Sequence, residues 1–497
     1  MSKVKKVFAI ILSMAMILGM SITTFAAPKE SATITVNNAD NAQLFMVQII
    51  EADQKTATGW SFTEAAKNAF TQAFSQDEQT IIHSLIDQTV NSETLSKALH
   101  NININTPFKN GDAVNSAGLY AIKATEKGYS YNIMTAYVGF GEVKNEDEEV
   151  INEYPSLMDT EVDAKKSPLT IEKSVDDEDG YYAFGQILTY TIETYVPYMN
   201  PNEVNKTFEV LDELYNANYY LAGEGSIAKV ELDGEEEPIG NAEAFRIREP
   251  EGDEFFTEGF TIDLSNLITN DNSNAGKMVT ITYTVKVQGS TSPQDIWNNA
   301  VWHIGDDSSD TEQVRLHTGN IYLTKYNEDE TEKLAGAGFE VSKADSSGGY
   351  SEPLKFKKIV DGVYAFAPEA GEGDYVTEIF TATEDIPYTI QKGEVYIFGL
   401  DAGTYRFTET TAPEGYSINK NPVTATLDED SYKNDGNDRT RGITIFYAEY
   451  VKMIDTKLSA LPSTGGIGTT IFTIGGCVIM IAAAGLYFAN RRRQENK

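Results

Sequence analysis

From about residue 167 onward, the chain is divided into short segments rich in β-branched and aromatic residues, separated by Gly, Asn and Asp. Alternating segments of this kind are typical of strands. Their length and spacing favour β-sandwiches and leave little helix after residue 165. We predict one sandwich over residues 167–316 and a second over residues 319–456. The clearest strands are SPLTIEKSV, LTYTIETYVPY, KTFEVLDEL, VTITYTVKVQG, NNAVWHIG, NIYLTKYN, EVYIFGL and GTYRFTET.

Residues 27–165 have a different pattern, which predicts a mixed α/β domain. Strand-like segments open and close it, and three segments between them have apolar residues three and four positions apart, as amphipathic helices do. The predicted helices are SFTEAAKNAFTQAF, DEQTIIHSLIDQTV and SETLSKALHNI. The chain is therefore expected to be mainly β, with its soluble helices confined to this first domain.

The first 26 residues have the features of a secretory signal. Lys3, Lys5 and Lys6 precede an apolar stretch, and small residues follow at Thr24 and Ala26. This order predicts cleavage after Ala26, the alternative being an uncleaved N-terminal helix. The rest of the chain is then expected to be exported.

A second apolar segment lies in residues 457–497. Residues 467–489 form an uncharged run long enough to cross a bilayer. Arg491, Arg492 and Arg493 follow it, which places the C-terminus on the cytoplasmic side by the positive-inside rule. We therefore predict a transmembrane helix here.

Composition excludes several classes of function. The net charge of -36 argues against nucleic-acid binding. The four histidines have no metal-ligand spacing, and neither a phosphate loop nor a catalytic triad context is present, so we predict no enzyme, metal or cofactor. The single cysteine, Cys477, lies in the apolar run, so the exported part has no disulfide to stabilise it.

The segment LPSTGG precedes the apolar run and the basic tail. These three parts in this order resemble the cell-wall sorting signal recognised by sortases. The matching residues are Leu461, Pro462, Ser463, Thr464 and Gly465. The resemblance implies that a sortase attacks the carbonyl of Thr464, that the piece from Gly465 onward is discarded, and that an amine of peptidoglycan or of another subunit accepts the threonyl group. The mature protein would then be displayed on the cell wall.

A second motif, YRFTETTAPEGY, resembles the E-box of collagen-adhesin B-type domains, the modules of Gram-positive backbone pilins. The matching residues are Tyr405, Phe407, Glu409, Thr410, Ala412, Pro413, Gly415 and Tyr416. In that family a buried lysine on the first strand condenses with an asparagine on the last strand, assisted by an acid. Burial favours a neutral amine and a protonated acid, which moves protons while ammonia leaves. Such a bond would take the place of the missing disulfides.

The resemblance implies one such site in the domain over residues 167–316. Lys173 lies on its opening strand, Asp212 matches the assisting acid, and WNNAVWH matches the closing strand. The implied partner is Asn298, with Asn299 as the alternative. The competing interpretation is that Lys173 is an ordinary strand lysine that faces solvent.

The domain over residues 319–456 departs from the family pattern. Lys325 and Glu409 are in place, but the closing strand GITIFYAEYVKM carries no asparagine, and Phe446 to Ala448 lie where we expect one. Glu449 is nearby, although a link from lysine to glutamate would be unusual. Without a bond, Lys325 and Glu409 would form only a buried ion pair.

The lysine that joins subunits in backbone pilins usually follows a Tyr-Pro pair. Here Ser156 follows Tyr154 and Pro155, and the nearest lysines are Lys165 and Lys166. These two lysines are candidates for the acceptor amine, and their alternative role is that of a solubilising linker pair.

Two functions remain from the sequence. The first is a shaft subunit of a sortase-assembled pilus that supports adhesion, with sortase, other copies, minor pilins and peptidoglycan as partners. The second is a wall-anchored adhesin or accessory pilin displayed as a single copy, with an unknown host or surface ligand.

Overall fold

The computed structural model describes residues 30–141, 156–220, 228–236, 245–248, 257–387, 389–428, 448–458 and 467–494. The chain divides into two compact units. Unit 1 comprises Met1–Gly319 with Gly399–Ala402, and unit 2 comprises Asn320–Phe398 with Gly403–Lys497. The boundary at Gly319 lies where we predict the last sandwich to begin. The boundary predicted near residue 165 lies within unit 1 and stays a prediction.

The N-terminal part of unit 1 combines helices and short strands, as its sequence pattern predicts. The helices are α1 (Glu64–Phe74), α2 (Glu78–Ile86) and α3 (Ser92–His100). The strands are β1 (Ala32–Asn37), β2 (Gln43–Ala52), β3 (Trp60–Phe62), β4 (Thr106–Phe108), β5 (Ala113–Val114), β6 (Gly118–Thr125), β7 (Tyr129–Tyr131), β8 (Met134–Val138), β9 (Phe140–Gly141), β10 (Ser156–Leu157), β11 (Thr160–Asp163) and β12 (Lys166–Pro168).

A sheet in the order β3-β2-β6-β8, with β4 also paired to β2, divides this part into two cores. On one side lie the apolar faces of the three helices, and on the other lies a small sheet of β11, β1 and β5. Strand β6 is therefore apolar on both faces and almost wholly buried. Helices α2 and α3 begin at side-chain caps, because Asp77 and Asn91 accept hydrogen bonds from the first-turn amides of Thr80 and Thr94.

The remainder of unit 1 is a β-sandwich. Its strands are β13 (Ile171–Val175), β14 (Tyr181–Tyr182), β15 (Ile187–Tyr195), β16 (Phe208–Tyr215), β17 (Ala217–Tyr219), β18 (Ala228–Leu232), β19 (Glu235–Glu236), β20 (Phe245–Arg248), β21 (Glu258–Asp263), β22 (Met278–Val287), β23 (Ile296–Ile304) and β24 (Asp307–Ser308), with a 3-10 turn at Ser265–Leu267. One sheet has the order β13-β15-β22-β18-β19, and the other contains β20-β21-β16-β23. Strands β15, β16 and β22 alternate between buried residues and residues that are half-buried or exposed, because only one face of each sheet meets the core.

Unit 2 contains two further sheets. Its strands are the second half of β25 (Glu312–Asn327), then β26 (Gly338–Lys343), β27 (Phe356–Val360), β28 (Val363–Phe366), β29 (Glu378–Phe380), β30 (Glu394–Leu400), β31 (Gly403–Thr411), β32 (Val423–Leu427) and β33 (Ala448–Asp455). One sheet has the order β29-β26-β31-β32. In the other, β25 lies between β30 and β33, and β25 and β33 run parallel. The expectation of a mainly β chain is confirmed.

The last helix, α4 (Ile467–Gln494), covers the predicted transmembrane run. Its segment Ile471–Arg493 contains an 18-residue stretch with a mean hydropathy of 2.1 and is long and apolar enough to cross a membrane.

Candidate functional sites: two buried lysine clusters

The first cluster lies inside the sandwich of unit 1, around Lys173. The lysine is on β13, at the edge of one sheet, while Asp212 on β16 and Asn298 on β23 belong to the facing sheet. The side chains of Lys173 and Asp212 are fully buried, as is Asn298, and the lysine ammonium contacts the Asp212 carboxylate directly. Lys173 therefore points into the core, contrary to the solvent-facing alternative.

The hydroxyl of Tyr283, on β22, connects all three side chains. It donates a hydrogen bond to Oδ2 of Asp212 at 2.7 Å, and it accepts from Nζ of Lys173 at 2.6 Å and from Nδ2 of Asn298 at 2.8 Å. A hydroxyl has one proton and two lone pairs, so these three bonds use its full capacity. The amine and the amide that are predicted to react are thus held by one common atom.

Further aromatic residues enclose the cluster. The hydroxyl of Tyr219 donates to Oδ1 of Asp212 at 2.7 Å. The rings of Tyr190 and Tyr283 stack on each other, and the Lys173 ammonium lies 5.5 Å and 5.2 Å from their centres. These rings exclude water and therefore strengthen the electrostatic contacts inside the cluster.

This environment shifts the protonation of its members. Burial lowers the pKa of the Lys173 amine, although the nearby Asp212 carboxylate opposes that shift. Burial and the charge of Asp212 raise the pKa of both Tyr219 and Tyr283 well above the ordinary tyrosine value, so these hydroxyls remain donors. A lysine with a lowered pKa is more readily present as the neutral, nucleophilic amine.

The two asparagines of the WNNAVWH segment face opposite ways. Asn298 is fully buried, and its Oδ1 has no hydrogen-bond partner. Asn299 faces outward and accepts a hydrogen bond from Gln313 at 2.8 Å. Strand alternation therefore directs Asn298, and not the alternative Asn299, toward Lys173.

Sequence reasoning missed Tyr219 and Tyr283. A signal for Tyr283 was present, since the buried positions of β22 are Val279, Ile281, Tyr283, Val285 and Val287. Most buried tyrosine hydroxyls in proteins have a hydrogen-bond partner, so a tyrosine within an aliphatic inward row indicates a polar group nearby. Tyr219 gave no comparable signal, because β17 is only three residues long.

The second cluster lies in unit 2, around Lys325 on β25. The lysine is fully buried, and its ammonium lies 2.9 Å from Oε1 of Glu409 and in direct contact with Asp455. Glu409 belongs to β31 in the facing sheet, whereas Asp455 is the last residue of β33, the parallel neighbour of β25. The ring of Phe339 lies 5.7 Å from the ammonium.

Besides Glu409, Lys325 has a second acidic partner, Asp455, which we did not expect from the sequence. Residues 446 and 447 lie outside the described residues, but the register of β33 pairs Lys325 with Met453. The part of β33 beside the lysine is therefore further along the chain than we expected, and Asp455, which pairs with Asn327, contacts Lys325 diagonally. Glu449 pairs with Ile321, which lies four residues before Lys325 on β25.

A residue that does not belong to the cluster, Asn419, orients the Glu409 side chain. Its Oε2 accepts a hydrogen bond from the backbone amide of Asn419 at 2.5 Å, and the Asn419 side chain donates to the carbonyl of Ile454 at 2.8 Å. Burial raises the pKa of Glu409, although the Asn419 amide and Lys325 oppose the shift. The acid is thus held toward Lys325 in an environment that favours its protonated form.

The E-box residues position this acid. Tyr405, Phe407 and Glu409 share the buried face of β31. The strand is followed by a turn in which the amide of Tyr416 donates to the carbonyl of Pro413 at 3.0 Å, and Gly415 has a positive φ of 86°. Glycine is favoured there because a side chain would strain that conformation.

The two candidate acceptor lysines differ in their surroundings. The ammonium of Lys166 lies 3.4 Å from Oε2 of Glu126 and 4.1 Å from the centre of the Tyr129 ring. Burial lowers the pKa of Lys165.

Ser156 is buried in β10, and the preceding Tyr154 and Pro155 lie outside the described residues.

The signal segment 1–26 and the motif residues Leu461 to Gly465 also lie outside the described residues. Among the residues that the structure does describe, one acidic group could hold a cation. Carboxylate oxygens of Asp177, Asp179 and Asp401 lie within 4.8 Å of one another, and burial raises the pKa of Asp177 to about 7. Acidic groups at a surface are common without an ion, and we assign no metal to this one.

Comparison with known families matches two parts of the chain. Residues 319–440 match the prealbumin-like fold domain called SpaA, and residues 454–497 match the LPXTG cell-wall anchor motif of Gram-positive bacteria. The chain carries a SpaA domain followed by an LPXTG anchor. The predicted location at the cell wall is thereby confirmed.

Similar proteins include surface proteins and major pilins. The trypsin-resistant surface T6 protein of Streptococcus pyogenes serotype M6 is 26% identical over 382 residues, which are 63% of this chain and 65% of that protein. The solved T6 backbone pilin of that serotype is 16% identical, with a TM-score of 0.45, over 82% of this chain and 81% of the other. The full-length major pilin SpaD of Corynebacterium diphtheriae is 14% identical, with a TM-score of 0.48, over 89% of this chain and 100% of the other. The matches to the SpaA domain and to the LPXTG anchor confirm the predicted resemblance to sortase-anchored surface proteins of Gram-positive bacteria.

Proposed function

We propose that this protein is the repeating structural subunit of a covalently polymerised pilus on a Gram-positive cell wall. The observation that carries the proposal is the SpaA domain at residues 319–440 followed directly by the LPXTG anchor at residues 454–497. The similarity to the T6 surface protein supports it. In this role Thr464 would be joined by a sortase to an amine of the next subunit, and in the last subunit to peptidoglycan.

The proposal includes an internal amide bond between Lys173 and Asn298. The neutral amine would attack Cγ of Asn298, ammonia would leave, and Asp212 would transfer the protons. The shared hydroxyl of Tyr283 supports this step, because it holds the amine and the amide together, and proximity of this kind can replace an external enzyme. The T6 relative is called trypsin-resistant, which is the property such a bond would give to a chain without disulfides.

For the joint between subunits we propose Lys165 in preference to Lys166. A lowered pKa favours the neutral amine that must attack the threonyl group, and burial lowers the pKa of Lys165. The side chain of Lys166 is instead engaged within its own subunit, 3.4 Å from Oε2 of Glu126 and 4.1 Å from the centre of the Tyr129 ring.

The second candidate function is that of a wall-anchored adhesin displayed as a single copy. The observation that favours it is Ser156, which stands directly after Tyr154 and Pro155 where the pilins it resembles have a lysine. In that case Thr464 would be joined only to the cell wall.

An immunoblot of cell-wall extracts separates the two functions. Wall material is released with muralytic enzyme, boiled in detergent and probed with antibody to this protein. A ladder of bands rising to very high mass is the result expected of a shaft subunit, whereas a single band near the monomer would favour the adhesin. Thr464→Ala is the control, because it should abolish the ladder and the wall attachment together.

A further inference from the structure

The acid of the first cluster does not contact the amide that has to leave. The hydrogen bonds that Asp212 accepts come from three side chains, Lys173, Tyr219 and Tyr283. The side chain of Asn298 is hydrogen-bonded to Tyr283. Within the part of the chain that the structure describes, no hydrogen bond joins Asp212 to Asn298 directly. A proton that moves from the acid to the leaving nitrogen therefore needs a carrier between them.

Strand register explains the gap between the acid and the amide. Asp212 on β16 pairs with Ala300 on β23, and Leu214 pairs with Asn298, so the acid and the amide are diagonal neighbours. Tyr283 approaches them from β22 in the facing sheet. Its hydroxyl oxygen lies 2.7 Å from Oδ2 of Asp212 and 2.8 Å from Nδ2 of Asn298. Both distances are those of ordinary hydrogen bonds, so this oxygen connects the acid to the leaving nitrogen.

We infer that the hydroxyl of Tyr283 is a catalytic proton relay, which carries a proton from Asp212 to Nδ2 of Asn298 and limits the rate of bond formation. This inference rests on the bond proposed between Lys173 and Asn298, and it names the path that the proton takes. It gives Tyr283 a chemical role in addition to its contacts with the two reacting groups.

The step is balanced within the cluster. The neutral amine of Lys173 attacks Cγ of Asn298, so that the N–Cγ bond forms. Protonated Asp212 gives its proton to the Tyr283 oxygen while the hydroxyl proton of Tyr283 passes to Nδ2. The Cγ–Nδ2 bond breaks and ammonia leaves. Asp212 then recovers a proton from Nζ, which it contacts directly, so the acid and the tyrosine both end as they began.

The hydrogen bonds can run in this direction once the amine has attacked. In the unreacted cluster, Nδ2 of Asn298 donates to the Tyr283 oxygen, and the hydroxyl donates to Asp212. Attack makes Cγ tetrahedral, and Nδ2 becomes an amine with a lone pair that can accept a proton. Rotation of the Tyr283 O–H bond then reverses both hydrogen bonds, and the two oxygens and the nitrogen keep their distances.

The surroundings of the hydroxyl favour two proton transfers in a single step. Burial and the charge of Asp212 raise the pKa of Tyr283 well above the ordinary tyrosine value, so a separate phenolate would be costly in this core. When Asp212 supplies a proton as the hydroxyl gives one up, no phenolate forms. Two protons therefore move together in the relay, whereas direct transfer from an acid to the nitrogen moves one.

Departure of the amide nitrogen is the slow part of this reaction. The attacking amine is fixed beside its target, which lowers the barrier to attack. An unprotonated amide nitrogen is a poor leaving group, so the tetrahedral intermediate returns to the starting groups until a proton reaches Nδ2. The relay therefore controls the rate at which Lys173 and Asn298 become joined.

The dependence of the rate on deuterium tests the relay in the wild-type chain. The full chain is purified from inclusion bodies in denaturant, before it has folded and linked. It is refolded by dilution, with detergent for its C-terminal helix, into H2O, D2O and mixtures of the two. Bond formation is followed as the fraction of residues 167–206 joined to residues 287–315 in a tryptic map, and folding is followed by tryptophan fluorescence.

The expected result is a rate of bond formation that falls with the deuterium fraction along a curve, below the straight line between the H2O and D2O values. Such a curve means that two protons move in the limiting step. A straight line would mean that one proton moves, and an unchanged rate would mean that none does, so either result would overturn the relay. Absence of the joined peptides in every solvent would overturn the bond and the relay together.

A pair of tyrosine variants separates the relay from a general disturbance of Asp212. Tyr283→Phe should form the link at least roughly tenfold more slowly and lose the curved dependence, because it removes the hydroxyl on the proton path. Tyr219→Phe is the matched control, since it also removes one hydrogen bond of 2.7 Å to Asp212 but none to Asn298, and it should keep the curve. A curve that persisted in Tyr283→Phe would overturn the relay. The wild-type measurement stands even if a variant fails to fold.

Discussion

The hydroxyl of Tyr283 is the residue-level feature on which the first lysine cluster depends. It contacts the proposed nucleophile, the acid and the amide at 2.6–2.8 Å. Loss of this one oxygen would leave Lys173 and Asn298 without a shared partner. The proposed role of Tyr283 is therefore to position both reacting groups.

The variant Tyr283→Phe tests this role. We expect the link between Lys173 and Asn298 to form at least roughly tenfold more slowly, because the amide is no longer held beside the amine. The measurement is the fraction of residues 167–206 joined to residues 287–315 in a tryptic map. Tyr190→Phe is the matched control, since the hydroxyl of Tyr190 has no hydrogen-bond partner. Equal linkage in both variants would contradict the role.

The pH dependence of the same reaction follows from the lowered pKa of Lys173. A protonated ammonium cannot attack the amide, and burial shifts the loss of its proton to lower pH than in an ordinary lysine. Starting from unlinked Tyr283→Phe protein, the rate of linkage should therefore rise with pH and level off below the usual lysine pKa. A rate that is constant or falls as pH rises would contradict the neutral-amine mechanism.

At the level of elements, the proposed bond joins β13 in one sheet of the sandwich to β23 in the other. It would close a loop from residue 173 to residue 298 and restrict the unfolded chain. In the chain-entropy model of cross-links, a loop of this size contributes about 5 kcal/mol to the free energy of unfolding.

Asn298→Ala measures that contribution. The free energy of unfolding, obtained from denaturant titration, should fall by about 5 kcal/mol from loss of the bond alone. Asn299→Ala is the control on the adjacent, outward-facing position, and it should change stability by less than about 0.5 kcal/mol. If both variants lowered the free energy of unfolding by a similar amount, the bond between Lys173 and Asn298 would be absent.

Strand alternation and the family resemblance together made much of the first cluster predictable. Alternation indicated the sandwich strands, and the resemblance implied Lys173, Asp212 and Asn298, with Asn299 as the alternative. Neither could identify Asp455, because it lies 130 positions after Lys325 and no local pattern fixes the register between β25 and β33 that brings the two together. Tyr283 was missed for a related reason, since its partners lie on three other strands.

At the scale of the whole molecule, the chain has a single cysteine and so no internal disulfide to stabilise its domains. Its cysteine lies in the membrane helix, and its net charge of -36 makes the exported surface self-repelling. The amide bond proposed between Lys173 and Asn298 would stabilise unit 1 of such a protein against proteases and mechanical force. The same chemistry between Thr464 and a lysine would then connect one molecule to the next.

The joint between subunits gives a prediction at this scale. Lys165→Arg should reduce the high-mass ladder of wall extracts to a monomer band, because arginine keeps the charge but cannot accept the threonyl group. Lys166→Arg is the matched control and should leave the ladder intact, since an arginine can still pair with Glu126. The opposite result would move the joint to Lys166, and an unchanged ladder in both variants would exclude both lysines.

The most direct measurement is mass spectrometry of the polymer released from the native cell wall. If the protein is a pilus shaft subunit, tryptic digestion should yield residues 458–464 joined through the carbonyl of Thr464 to the side chain of Lys165 in a second copy. Recovery of Thr464 attached only to cell-wall peptide would contradict polymerisation. The protein would then be a singly displayed surface protein.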